Sequence, residues 1–544
     1  MPLGNVRWHG NKYYLNDIIM KSIKIFFPLI FILFLGCVSK DAKNTDWNLP
    51  KIPTAEEVGV HVLSNEIAPV EAPFQTINFR KPQFPSDTII LSLSKDGINT
   101  AKIQKEIDAL SRKGGGIIVV PEGKWLTGRI QLKNNINLHV PENAVLKFSG
   151  EIKDFLPAVF TRYAGIELMS LGACIYANRA NNIAITGNGL LIGPGESPVR
   201  NQVTEEEPAR IFDPETPVSE RIFDGIKDPH IFRPMFISPI NCTNVFIEGV
   251  SLEKTAFWNI VPIYCDTVVI RGVTVNSIGI PMGDGIDIES SKNVLIEYCT
   301  LSCGDDSYTM KAGRGMDGLR VNKPTENIIV RNCLTKKAHG GITCGSETAG
   351  MIRNLYVHDC VFLDTRYAIR FKTRRPRGGG GENLYFERIR INAENHAFAW
   401  DMLGSPKWVG ELADRLPARP VNKLTPKYEN IGAKDIIIEN AEYFVKAQGI
   451  PESPIKNVSI ENVIVKCSSP FDLRDMQNVT FSNIKISSFN ANLDILDSKN
   501  LKFNNVKLNS TNNLNLQIKG EFSDSIFIES SFNVKDTVYV LLGE

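Results

Sequence analysis

The chain of 544 residues has almost no net charge: 61 Lys and Arg stand against 60 Asp and Glu, a formal +1 at neutral pH. That balance gives no global field of the kind that draws nucleic acid to a basic protein. Histidine is scarce, with seven in all, and neither His clusters nor Cys-x-x-Cys pairs occur, so a zinc site has no support and no metal or other cofactor is expected. Long apolar runs are missing too. The longest near the N-terminus, Ile25 to Leu35, contains Pro28 and falls well short of the roughly 20 residues that a spanning helix needs.

That run has instead the shape of an export signal beginning at Met20, with Lys21 and Lys24 as its basic end. It closes on Leu35-Gly36-Cys37, which resembles a bacterial lipoprotein box with Cys37 as the residue to be lipidated. The expectation is export to the periplasm or the surface of a Gram-negative cell, with the membrane touched only through a lipid anchor. Residues 1–37 then form the signal, 38–84 a polar, Pro-containing tether, and 85–544 the folded domain.

A unit Asn-(Val/Ile/Leu)-x-(Ile/Val/Phe) recurs through that domain, as at Asn244-Val245, Asn293-Val294, Asn327-Ile328, Asn354-Leu355, Asn457-Val458 and Asn478-Val479. Variants stand at Thr267-Val268 and Asp435-Ile436, and starts lie roughly 21 to 34 residues apart, the spacing of a solenoid. Two residues beyond the first apolar position come Ile247, Ile270, Ile296, Val330 and Val357; five beyond come Val250, Val273, Cys299, Cys333 and Cys360. Apolar columns with period two inside each unit mean stacked strands. The fold class is therefore all-β, a right-handed parallel β-helix whose coils bury their inward side chains against one another.

Cysteines that share these columns read as buried thiols rather than disulfides, even in an exported protein. A capped amphipathic helix, begun by Asn99-Thr100, presents Ile103, Ile107 and Leu110 on one face and stops at Gly114; it is expected to cover the open end of the coils. Residues 196–234 and 395–433 lack the repeat and read as insertions on the binding face.

The chemistry concentrates between Pro281 and Met310. Alternation in Gly285-Ile286-Asp287-Ile288-Glu289 sends the isoleucines inward, so Asp287 and Glu289 face outward with nearby Asp284 and are candidate substrate contacts. In the next coil Gly304 frees the backbone so that both Asp305 and Asp306 point out. Like charges this close raise one another's proton affinity. Acid/base hydrolysis of a glycosidic bond, metal binding and a solvated turn are the available reasons for such a cluster. His339 follows one coil later, and Arg370 and Lys372, two apart, share a strand face suited to a substrate carboxylate. Trp400 and Trp408 are candidates for stacking on sugar rings, and Arg374 to Gly381 adds cations beyond Lys372.

In order, Met282-Gly283-Asp284, Gly304-Asp305-Asp306, Ala338-His339-Gly340 and Arg370-Phe371-Lys372 resemble the four-part signature of glycoside hydrolase family 28, the polygalacturonases. The resemblance implies single-displacement hydrolysis of a pectic chain with inversion. Asp305 would be the general acid, kept protonated by its neighbours, Asp284 and Asp306 the bases, and His339 a group that tunes the acid. Arg370 and Lys372 would bind a galacturonate carboxyl. The doubled glycine at Gly340-Gly341 is similar to exo-acting bacterial members. Met282 and Gly283 depart from the family's Asn-Thr, as rhamnogalacturonan-cleaving members also do, so a rhamnogalacturonan hydrolase is the alternative. A pectate-lyase-like enzyme and a non-catalytic glycan-binding β-helix are the remaining readings.

Overall fold

The computed structural model describes residues 48–202 and 215–533, with the backbone of 6–9, 12–15 and 537–542. The export signal, including Met20 and Cys37, lies outside the described residues.

Parallel strands stack into ladders along one axis. One ladder places Val245, Val268, Val294, Ile328, Leu355 and Leu384 in register, coil upon coil. Another carries Ile237, Ile260, Ile286, Tyr308, Ile342, Ile369, Phe398 and Val445. Their inward side chains merge into one continuous core that runs from Leu91 to Ile528, as stacked apolar columns require. All nine described cysteines are free thiols and eight are buried, in line with their column positions.

The repeat's asparagine has a structural cause. Asn244, Asn293, Asn327, Asn354, Asn383, Asn430 and Asn457 all hold φ between 55 and 59°, the left-handed corner that asparagine tolerates better than most residues. Each amide also bridges coils: Asn354 donates to Asn327 at 3.0 Å, Asn383 to Asn354 at 3.1 Å, Asn430 to Asn383 at 3.2 Å and Asn457 to Asn430 at 3.0 Å. The expected unit at Asp435-Ile436 is therefore displaced by five residues, because Leu384 pairs with Ile431 and not with Ile436. Asp435 opens a second ladder instead, accepting from Asn462, to which Asn483 donates in turn.

The capping helix spans Thr100–Arg112 and buries Ile103, Ile107 and Leu110. Asn99 precedes it but does not cap it; its amide binds the Ser94 backbone and the Leu126 carbonyl. The expected tether is a correction. Residues 48–84 lie along the solenoid as a strap, from Ile52 beside Arg390 back to Gln83 beside Asn182. Val70, Ile77 and Phe79 cover an outward apolar column made by Ala184, Phe246, Val269, Leu295, Ile329 and Tyr356. Those side chains sit between inward positions, and the strap removes them from water.

The insertions are also redrawn. Strand pairing continues through Asp401 and resumes at Lys427, so the second insertion is 402–426. A hairpin at Val159–Tyr163 and Ile166–Ser170 and a helix at Gly315–Val321 are further excursions, and both flank the cleft described next.

Candidate active site

On the ladder that carries Ile286, Tyr308, Ile342 and Ile369, the outward side forms a cleft of about 290 Å³. Asp284, Asp305, His339, Arg370 and Lys372 all line it, so five sequence candidates from four coils meet in one place. Met282, Trp258, Lys311, Arg374 and Trp408 complete the walls.

The acid pair divides. Asp305 keeps a third of its side chain exposed, whereas Asp306 is fully buried beneath the basic pair. Lys372 Nζ donates to Asp306 Oδ2 at 2.7 Å and Arg370 Nη1 to Oδ1 at 3.3 Å. Burial opposes ionisation there, yet Lys372, Arg370 and His339 together hold the Asp306 carboxyl well below the usual range. Two glycines make this packing possible. A Cβ on Gly304 would stand 2.1 Å from the Ile280 carbonyl, and one on Gly340 would stand 2.3 Å from Asp306 Oδ1.

Arg370 also donates to His339 Nδ1 at 2.8 Å. Since arginine cannot accept, this bond puts the neutral ring's proton on Nε2. The same Nδ1 lies 3.6 Å from Asp305 and 3.5 Å from Asp306, longer than a good hydrogen bond. Ligand atoms of Asp305, Asp306 and His339 come within 4.8 Å of one another, but Arg370 and Lys372 already face both oxygens of Asp306 and compete with any cation.

Asp284 is 3% exposed at the cleft floor, and its carboxyl is raised well above the ordinary value by burial, then by Asp287 and Asp305. The expected proton holder is Asp305; the structure raises Asp284, because that group is the desolvated one. Its main-chain carbonyl is fixed by Asn259, which donates from both its backbone and its amide.

Asp287 and Glu289 do face away from the core, as alternation requires, but neither reaches the cleft. Both are completely buried. Lys311 Nζ covers Asp287 at 3.6 Å, and Arg162 from the 159–170 hairpin covers Glu289 at 3.4 Å. Burial pushes each carboxyl up to about 7 against the pull of Lys311 and Arg162 respectively. Their assignment as substrate contacts is therefore corrected: they lie under the floor.

Lys311 is the residue that sequence reasoning missed. It stands 3.3 Å from Glu347, 3.6 Å from Asp287 and 4.0 Å from Asp284, and 4.3 Å over the Trp258 ring. Burial works against its charge, but Glu347, Asp287 and Asp284 raise its pKa and hold it protonated. Glu347, with Lys311 and Arg377 beside it, is held well below the carboxylate range although it is buried. The alternation Tyr308 in, Thr309 out, Met310 in, Lys311 out carried the signal, since Lys311 pairs with Glu289 of the previous coil.

Of the two tryptophans, Trp400 stacks on Phe371 at 5.1 Å within the core, while Trp408 is 41% exposed on the cleft wall. Arg375 is committed to Glu452 and Arg377 to Glu347, so much of the Arg374–Gly381 charge is structural.

The chain is thus a parallel β-helix that carries acids and a basic pair in one outward groove. The family model for glycosyl hydrolases family 28 matches residues 223–397. A solved exopolygalacturonase from Thermotoga maritima is 30% identical with a TM-score of 0.65, covering 74% of this chain and 94% of that one. A probable polygalacturonase of Vitis vinifera is 26% identical over 399 residues, 70% of this chain and 75% of its own length. An exo-poly-alpha-D-galacturonosidase of Dickeya chrysanthemi is 23% identical over 425 residues, 72% of this chain and 69% of its own. The chain belongs to glycosyl hydrolase family 28 and is a glycoside hydrolase of the polygalacturonase type.

Proposed function

We propose that the protein removes α-linked galacturonic acid from the ends of pectic chains by inverting hydrolysis. The observation that carries this reading is two carboxyls, Asp284 and Asp305, and two cations lining one cleft, with the carboxyl of Asp306 directly beneath the cations. Asp305, the most accessible acid, protonates the glycosidic oxygen as the bond to the anomeric carbon breaks. A water attacks that carbon from the opposite face and gives its proton to a carboxylate. Asp284, at the cleft floor, and Asp306, kept ionised beneath Lys372 and Arg370, share that second role. Arg370 and Lys372 thus serve twice, since each has N–H groups left for a substrate carboxylate. His339 orients Arg370 and flanks the acid.

The exo mode is supported by the likeness to exo-acting relatives and by cleft walls built from excursions such as Trp408. One digest of polygalacturonan, rhamnogalacturonan and short galacturonides tests all of this. Monomer alone from the first, appearing as the β-anomer by NMR before mutarotation, is the expected result. A ladder of oligomers contradicts exo action, and unsaturated, chelator-sensitive products contradict hydrolysis. A second reading, cleavage of the rhamnose-containing backbone, is favoured by Met282, which gives the cleft an apolar side chain packed against Trp258 and its aromatic neighbours. Activity confined to that backbone would establish it.

Export as a lipoprotein anchored through Cys37 is part of the proposal. Palmitate labelling that is lost in Cys37→Ala supports it, and equal labelling of both forms excludes it.

A further inference from the structure

Beyond the cleft, toward the C-terminal coils, the same sheet face opens into a second depression of about 360 Å³ that shares Arg370 with the first. Tyr367, His396 and Ala399 are among its lining residues. Tyr367 and His396 are register neighbours with ring centroids 5.3 Å apart, and burial lowers the imidazole's pKa. The charged groups around it are not equivalent. Asp472 is spent on Arg474, with both oxygens bonded at 2.7 and 3.2 Å. Asp401 accepts the backbone N–H groups of Leu403 and Gly404. Lys446 is different: although Asp472 is its register partner on the next strand, that carboxylate is turned to Arg474, and the Lys446 ammonium rests 4.8 Å over the Tyr443 ring.

Register fixes where that cation stands. Arg370 pairs with Ala399, and Ala399 pairs with Lys446, so Lys446 lies two strands past Arg370 on the same outward row. At 4.7–4.9 Å per strand that is roughly 10 Å along the axis. The acids, the basic pair and Lys446 therefore succeed one another in a single direction.

We propose that this second depression is a binding subsite for a further uronate unit of the polymer, whose carboxylate pairs with Lys446 while its ring lies over Tyr367 and His396. The inference rests on the reading of the main cleft as a galacturonan-cleaving site. It adds a preference for long chains over short ones, because a dimer spanning the scissile bond does not extend to Lys446.

The test compares digalacturonide with hexagalacturonide, using wild type, Lys446→Ala and Lys446→Arg. A charge-assisted hydrogen bond contributes enough that its loss lowers the hexamer-to-dimer ratio of kcat/KM about tenfold in Lys446→Ala, through KM for the hexamer. Lys446→Arg is expected to restore most of the ratio, which a purely structural lysine would not explain. If Lys446→Ala leaves the ratio within about twofold of wild type while both substrates are turned over, the subsite is wrong and the main-cleft reading stands. If wild type turns over neither substrate, the main-cleft reading falls and takes the subsite with it.

Discussion

Replacing Lys311 with methionine preserves the length of the side chain and removes the charge beneath the cleft. In the wild type that ammonium faces Glu347 at 3.3 Å, Asp287 at 3.6 Å and Asp284 at 4.0 Å. Removing one partner from a buried ion pair costs about 3–5 kcal/mol, because a desolvated charge is left uncompensated. Glu347 retains Arg377 at 3.2 Å, so the loss falls mainly on Asp287 and Asp284. Those two have an escape, which is to take up a proton. An acid whose folded pKa lies above its unfolded value binds more protons when folded, so stability falls as pH climbs from the unfolded pKa toward the folded one. Asp287 already sits at about 7, and losing Lys311 pushes it higher. At pH 5 it is protonated in both proteins and the substitution costs little there; at pH 8 wild type carries the ion pair and the variant does not. Scanning calorimetry at the two pH values checks this, with the deficit of Lys311→Met expected to be about 1–1.5 kcal/mol larger at pH 8, because a group at about 7 in wild type has only one pH unit over which to gain from the ion pair while the variant stays protonated. Equal deficits at both pH values would refute the electrostatic argument and leave Lys311 as packing for Trp258.

Lys372→Met removes the shorter of the two cation contacts on Asp306, so that carboxyl rises and the acid limb of kcat/KM moves to higher pH, with a loss of about 10- to 100-fold for a charge-assisted bond of this kind; an unmoved limb would separate Lys372 from the ionisation of Asp306. Gly340→Ala puts a methyl group 2.3 Å from Asp306 Oδ1, and a displacement near 1 Å is expected to lower kcat by about 100-fold while the circular dichroism of the solenoid stays unchanged. Phe79→Ala uncovers the outward column under the strap at a cost of about 3 kcal/mol, read as faster cleavage within 48–84 by limited proteolysis; an unchanged cleavage rate would mean that the strap is held by its hydrogen bonds alone.

Period two and the recurring asparagine carry the architecture, because each coil has to repeat both the inward columns and the left-handed corner. The same regularity misleads at Asp435, where a second ladder copies the pattern five residues late; only pairing with Leu384 distinguishes Asn430 as the true corner. The cleft residues Asp284, Asp305, His339, Arg370 and Lys372 are legible because they break the apolar pattern at matching places in successive coils. Alternation tells which side of the strand Asp287 and Glu289 occupy, but not what covers that side. Their burial is decided by Arg162, more than 120 residues earlier, and by a lysine that looks like an ordinary solvated end of a strand. The strap is illegible for a similar reason. A polar composition says little about a few apolar side chains, such as Val70 and Phe79, that find a matching column across the fold.

Stacking strands less than 5 Å apart brings every outward side chain against its counterparts in the coils before and after it. Acids at matching rungs would repel unless cations alternate with them, and they do: Lys311 pairs with Glu289 in register and reaches Glu347 at 3.3 Å, while Asp306 lies under Lys372 and Arg370. Compensation is uneven, and the unevenness separates the carboxyls. Asp306 has two cations within 3.3 Å, whereas Asp284 has one at 4.0 Å and acidic neighbours besides. Their pKa values are therefore driven in opposite directions from a common starting type, and both are set before any substrate arrives. Of the two carboxyls assigned to water activation, Asp306 is thus held toward its ionised form and Asp284 toward its protonated one. In the proposed mechanism this keeps Asp306 ionised, with Arg370 and Lys372 covering its two oxygens. Asp284 comes nearer to that state when Asp305 holds its proton, since the Asp305 charge is one of the groups that raise it; a bound uronate opposes that change. The buried lysine at the centre of the floor sets how large that change has to be.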